Sequence, residues 1–475
     1  MRAEWTLGCA LLVACGTTAR LTRPEGDGGW SADRRTAEVA ARLDPAVPPP
    51  SPPAEPLTLA AALALAGHGN RRVAEAEHRL AESRERVWQT RARLLPSATG
   101  SGRYTWYTDP QTTAVQLAPG SLPPGVSPIV IVREKEFGVA NGTLTVPVDL
   151  TGELLHALAA SQAGYRGERA RAWATRLGED VAVVHAYFRL LEAERLRDVT
   201  RETIAVERQH RETAEDRFNA GRLTKNELLV AEVAVRDAEQ RLLQDELAIA
   251  EARWALNQAI GLPVDAPSEV VDVTAPAAVP GADEALGLAR ANNPAVVELL
   301  EEQQRLAETA RSLERGWLPR VAAGGAIDYS SATIVQPQRT ESGFVGLTWD
   351  LGTDGRRAAE IAEARIATDR TRIALERQLR ELEAAVRTTQ QSAEERLAAA
   401  EAARVGVVQA EENLRIRRDQ FAAGRATSDD VLDASALLAR ERATFASAVY
   451  QAHTRRAELQ ELIGLPLDAL VAEAR

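Results

Sequence analysis

Cysteine is nearly absent from this chain, and the two that occur, Cys9 and Cys15, fall in its opening segment. Everything downstream of them is therefore free of disulfides. Aromatic residues are also scarce, at 4%. That is thin material for a large globular core but enough for helices that pack closely through small residues. No stretch approaches the ~18 consecutive apolar residues that a membrane-spanning helix needs. The six histidines (His68, His78, His156, His185, His210, His453) are scattered through helical patterns without ligand spacing and are read as surface or packing residues. Gly324-Gly325 matches no phosphate loop, and no nucleophile stands beside a base, so neither an enzyme nor a bound cofactor or metal is expected. A formal net charge of −11, from 57 Lys and Arg against 68 Asp and Glu, gives no reason to expect nucleic acid.

What the chain does have is repetition. The stretch Phe218-Asn219-Ala220-Gly221-Arg222-Leu223-Thr224 to Leu229 returns as Phe421-Ala422-Ala423-Gly424-Arg425-Ala426-Thr427 to Leu432, shifted by 203 positions. The same shift relates Ile260-Gly261-Leu262-Pro263 to Ile463-Gly464-Leu465-Pro466. Val148-Asp149-Leu150 matches Trp349-Asp350-Leu351, and Leu95-Pro96 matches Leu318-Pro319. A chain of 475 residues would ordinarily hold two or three domains, but here it reads as one long unit duplicated in tandem. Each Gly-Arg turn is a helical hairpin tip: Gly221 and Gly424 suit the left-handed residue that ends a helix. Thr224 and Thr427 cap the next helix, with Glu227 and Asp430 completing capping boxes.

The amino terminus carries Arg2, a short apolar run and the order Leu12-Val13-Ala14-Cys15, which resembles a bacterial lipoprotein cleavage box with Cys15 as the acylated residue. Cys9 fits less well, with Thr6 at the corresponding place. An ordinary secretory signal cut elsewhere is the other reading. The expected organisation is a signal peptide over 1–14 and an acylated N-terminus with a Pro-rich tether over 15–56. The first repeat spans 57–265, with a strand pair in 97–149 and a long helical hairpin over 152–261. A linker occupies 266–281, and the second repeat covers 282–467, with a strand pair in 320–352 and a hairpin over 355–464. A tail, 468–475, follows.

Within the first repeat a helical pattern runs from Leu57 to about Leu94, broken near Gly67 to Asn70 and stopped by Pro96. Arg103 to Tyr107 and Phe137 to Val148 alternate as strands, joined by a Pro- and Gly-bearing link over Pro110 to Pro128. Val321 to Ser331 and Phe344 to Leu351 repeat the pair. These strands are weakly hydrophobic, as suits one face on lipid and the other on a wet interior. The helix from Gly152 to about Asn219 has no proline and would reach ~100 Å at 1.5 Å per residue. In its twin, Ala358, Ile361, Ala362 and Ile366 form a stripe that Ala keeps shallow, so neighbouring helices approach closely.

In this order, and with these offsets, the chain resembles the TolC-like outer-membrane factors of Gram-negative tripartite efflux and secretion systems, over residues 57–467 or so. The Asp430-Val431-Leu432-Asp433-Ala434 run after the second tip and the repeated Ile-Gly-Leu-Pro ends belong to the likeness. The resemblance implies an α+β membrane protein whose homotrimer forms a 12-stranded β-barrel, four strands per protomer, continued by a long periplasmic α-helical barrel. It implies a lipid-anchored passive exit duct in the outer membrane, opened at its periplasmic tip by an adaptor protein and an inner-membrane pump. A soluble coiled-coil scaffold is the alternative from another class, and a type I protein-secretion duct the alternative within the family.

The resemblance also assigns residues. Asp430 and Asp433, three apart and about two turns inside the tip, would form acidic rings at the constricted entrance. Helix N-terminal chemistry would favour Asp429 and Asp430 without any such ring. In the first copy Glu227 and Val230 stand at the corresponding places, so the ring would come from the second. Gly221, Arg222, Gly424 and Arg425 match the tips where the family meets its adaptor, although turn chemistry alone accounts for the glycines. Tyr104, Trp106, Tyr107, Phe137, Phe344 and Trp349 are candidates for interfacial aromatic belts.

Overall fold

The computed structural model describes residues 55–114, 129–273, 279–351 and 355–467. Cys15, its cleavage box, nearly all of the tether and the tail lie outside them. All described residues belong to one unit, Pro50–Arg475. Two short helices, α1 (Leu59–Gly69) and α2 (Arg71–Ala92), lead into strand β1 (Ser97–Trp106). Strands β2 (Gln111–Ala114), β3 (Ile129–Arg133) and β4 (Glu136–Val148) follow, then a hairpin of α3 (Glu153–Asn219) and α4 (Lys225–Ile260). The second half repeats this as α5 (Ala282–Asn292), α6 (Pro294–Arg315), β5 (Arg320–Ser330), β6 (Arg339–Thr348), α7 (Arg356–Ala422) and α8 (Ser428–Ile463).

The duplication is visible in element length. Helices α1 and α5 have 11 residues each, α2 and α6 have 22, α3 and α7 have 67, and α4 and α8 have 36. Each break between the short helices is an asparagine that ends one and caps the next. Asn70 Oδ1 accepts from the Arg72 and Val73 amides, and Asn293 Oδ1 from those of Ala295 and Val296. Their amide nitrogens donate across to Ala259 and Leu462 carbonyls, tying the short helices to the ends of α4 and α8.

Two strand expectations need correction. The link after β1 is not wholly loop, because the β-branched run Ile129 to Val132 pairs with Gln111–Ala114 as a separate two-stranded sheet. Strand β6 begins at Arg339, five residues before Phe344, so the second hairpin is longer than its apolar residues suggest.

The main sheet is antiparallel throughout, in the order β1-β4-β5-β6. Its register sorts the side chains by face, since alternate residues point to opposite sides. One face gathers Ala98, Tyr104 and Trp106 with Leu144, Val146 and Val148, then Val321, Ile327 and Tyr329 with Val345 and Leu347; its charges, Glu136, Arg339 and Glu341, are confined to the strand ends away from the helices. The other gathers Ser97, Thr99, Ser101 and Arg103 with Asn141, Thr143 and Thr145, then Asp328, Thr340 and Ser342. On that polar face Asn141 Nδ2 donates to Asp328 Oδ1 at 2.6 Å. A ten-residue strand is ~33 Å long, and tilted by ~40° it stands ~25 Å tall, the height of an outer-membrane apolar band.

The aromatic belts are accordingly half what the sequence suggests. Tyr104, Trp106 and Trp349 lie on the apolar side near the sheet ends, joined by Tyr329 and by Trp317, whose carbonyl accepts from Trp349 Nε1 at 3.0 Å. Tyr107 and Phe137 stack on each other on the polar side. Phe344 sits there too, mid-strand, its ring over Gly324 where a Cβ would come within 2.7 Å of it.

The few aromatics of the helical part are concentrated where α3 passes the chain's other elements. Tyr187 and Phe188 are buried with Leu190, Leu256 and Ile260. The Tyr187 hydroxyl donates to the Val271 carbonyl at 2.6 Å, fastening the segment before α1 and the segment after α4 to one point. Phe188 stacks on His453 of α8 at 4.5 Å, joining the two hairpins. No described helix is long and apolar enough to cross a membrane.

Candidate functional site

The two hairpin tips are built alike. At the first, the Arg222 amide donates to the Arg217 carbonyl and the Gly221 amide to that of Phe218. At the second, Arg425 bonds Gln420 and Gly424 bonds Phe421 in the same way. This double bond pattern requires a left-handed residue, and Gly221 (φ 68°) and Gly424 (φ 72°) supply it. Thr224 and Thr427 then cap α4 and α8, each in a complete capping box. The chain thus reverses in a handful of residues with its helix-end groups satisfied. Arg222 and Arg425 both stand exposed at the outermost points.

Asp430 and Asp433 differ in their surroundings. Asp430 lies in the first turn of α8, nearer the tip than the sequence suggests, and its Oδ2 accepts from the Thr427 amide and hydroxyl at 2.8 Å each. Those bonds, the backbone one first, and Arg417 at 3.6 Å hold its carboxyl below the usual aspartate range. Glu227 does the same for Thr224 at the first tip. Asp433, one turn on, is exposed.

Behind the turns the hairpins are joined. Ala214 of α3, Ala231 of α4, Leu414 and Phe421 of α7, and Val431 and Leu438 of α8 form one buried cluster. Phe421 is held on both sides: the Arg217 guanidinium lies 4.8 Å over its ring and donates to its carbonyl, while the His210 ring tilts against it at 4.6 Å. His210 Nε2 stands 3.2 Å from the hydroxyl of Ser428, the buried first residue of α8. Arg217, Phe421 and His210 escaped the site assignment made from sequence. The repeat of Phe218 as Phe421 was a signal for one of them, but a lone histidine in a helix carries none.

At the opposite end a salt bridge fixes the sheet to the helices: Glu153 at the start of α3 takes Arg320 of β5 in a two-pronged pair at 2.9 Å. One turn along α3, His156 Nδ1 meets Glu308 of α6 at 2.7 Å, joining the two helices. Among the described residues no His, Cys, Asp and Glu group could hold a metal ion.

A sheet with one largely apolar face and, among the described residues, two unpaired edges, set on duplicated helical hairpins, is the α+β architecture of an outer-membrane channel. The sequence profile described as outer membrane efflux protein matches residues 62–262 and 285–465, one span in each repeat, and the chain belongs to that family. No curated protein matches the sequence. Among solved structures, the outer membrane protein VceC of Vibrio cholerae shares the fold with a TM-score of 0.71 at 17% identity, over 86% of this chain and 96% of that one. The Campylobacter jejuni CmeC outer membrane channel gives 0.72 at 14% identity, over 88% and 89%. The open state of the Neisseria gonorrhoeae MtrE outer membrane channel gives 0.64 at 19% identity, over 86% and 88%.

Proposed function

We propose that the protein is the exit duct of a tripartite efflux system, a homotrimer that carries substrate passively out through the outer membrane. The observation that carries this reading is the sheet: one face largely apolar, one polar, and edge strands β1 and β6 both without a further partner among the described residues. Four strands cannot enclose a water-filled pore, and open edges are not tolerated in lipid, whereas three copies close a 12-stranded barrel. The paired hairpins then continue the wall into the periplasm. Energy and most substrate choice belong to an inner-membrane pump, and the chain needs no catalytic role of its own.

The tips are the entrance. Gly221, Arg222, Gly424 and Arg425 present bare backbone and an exposed guanidinium to a periplasmic adaptor, and Asp430 and Asp433 bring acidic groups close to the three-fold axis. Acylation of Cys15 anchors the tethered N-terminus to the outer membrane. A coiled-coil scaffold would leave the apolar sheet face without purpose. Replacing both Asp430 and Asp433 with Ala should raise single-channel conductance in planar bilayers and weaken block by divalent cations, with the larger share from Asp433, whose carboxylate is not spent on a cap. Unchanged conductance and block would remove these aspartates from the constriction.

A further inference from the structure

A groove of about 410 Å³ opens beside the tip between α3 and α7, with Leu438 of α8 lining it as well. Into it face Gln209, His210 and Thr213 from α3, and Glu411, Arg415, Arg418 and Asp419 from α7. Both acids are already engaged: Glu411 with Arg442 of α8 at 2.7 Å, and Asp419 with Arg415 within the groove at 3.1 Å. Arg418 is not so matched, since its Nη2 is buried without a hydrogen-bond partner. From α8 the neighbour that reaches His210 is the neutral Ser428. The histidine, almost wholly buried where it lines the groove, is therefore set among a hydroxyl, an aromatic ring and an uncompensated guanidinium, at a contact that ties the first hairpin to the end of α7 and the start of α8.

We infer that His210 is an acid-sensitive latch: uncharged, it fastens α3 to Phe421 and Ser428, and on protonation it releases the two hairpin tips from each other. An imidazolium there would be desolvated and set beside Arg418, with neither groove carboxylate free to receive it; the half-buried Glu207, one turn earlier on α3, has Arg241 and Asp237 of α4 as its charged neighbours. In the separated state the ring meets water and titrates near the ordinary value of ~6.5. In the closed state burial first, and Arg418 second, push it down to about 4. Protons thus bind better to the separated state, so the latch holds fully above ~6.5 and weakens as the pH falls from there toward 4. At pH 5.5 the closed-to-open ratio of each protomer should be about tenfold lower than at neutral pH. An entrance closed at neutral pH would in this way loosen as the periplasm follows an acid exterior.

The latch rests on the tips being the entrance, but it is tested without conduction. Hydrogen–deuterium exchange of the detergent-extracted full chain, corrected for intrinsic rates, reads protection in peptides around 205–217 and 421–435 from pH 7.5 to 5. The wild-type tips should lose about tenfold protection by pH 5.5, and His210→Gln, which keeps a hydrogen-bonding amide but no charge, should not show that fall. Arg418→Gln, which removes the facing cation and lets the closed state protonate more readily, should lose protection in the same direction but by a smaller factor, and it serves as the check if His210→Gln does not fold. A flat wild type, or an undiminished pH response in His210→Gln, overturns the latch. A protein that shows the response yet forms no pore would contradict the duct and leave the latch standing.

Discussion

The glycine of each Ile-Gly-Leu-Pro end carries more of the fold than the glycine of each tip. Gly464 has φ 83°, and a Cβ there would lie 2.3 Å from the Asn292 carbonyl oxygen; Gly261 approaches Gly69 in the same way at 2.5 Å. Backbone cannot yield as a flexible side chain does. Around Gly221 a Cβ would meet nothing within 4 Å, so an alanine pays only for its left-handed backbone. Gly464→Ala should therefore destabilise by roughly 3–5 kcal/mol and Gly221→Ala by ~1–2 kcal/mol. Thermal loss of helicity in detergent orders the two, and equal shifts would mean the short-helix junction yields more readily than its geometry suggests. Asp430 teaches a related lesson. Its place three residues after Thr427 made it legible both as a cap and as a gate, and its two bonds to Thr427 show where most of its carboxylate is spent.

Among the elements, the helices were readable because what defines them is local. Asn, Thr, Gly and Pro mark their starts and stops, and the duplication offers the tips and the Ile-Gly-Leu-Pro ends twice. The strands were less readable because their faces depend on register, which distant pairing sets. Alternation already places Trp106 and Tyr107 on opposite faces, so both could not belong to one belt; which face meets lipid emerged only once β4 and β5 were paired. Likewise His210 looked like any packing residue, since the groups that bury it lie about 210 positions away on α7 and α8. The two faces make a sharp test. Leu144→Arg, mid-sheet on the apolar side, should cost about 2–4 kcal/mol and reduce assembled oligomer in the outer membrane. Ser342→Arg, on the polar side, should assemble normally and alter ion selectivity instead. Semi-denaturing electrophoresis of outer-membrane fractions separates these outcomes, and equal loss in both variants would mean the sheet has no lipid side.

For the whole molecule, each feature of the protomer is incomplete alone. Among the described residues the edges of β1 and β6 have no further partner, and large apolar side chains along α4 and α7, such as Leu243, Leu247, Ile366 and Ile373, stand exposed, while the polar sheet face is one wall of an unclosed lumen. Further copies of the same chain would complete all three at once, and closure of the barrel fixes their number. The most direct measurement is therefore the mass of the intact particle released from the outer membrane in detergent, read by native mass spectrometry. Three protomers, stable until the detergent is stripped and the sheet unfolds, are what the duct requires; a monomer or dimer that stays in solution without detergent would contradict it.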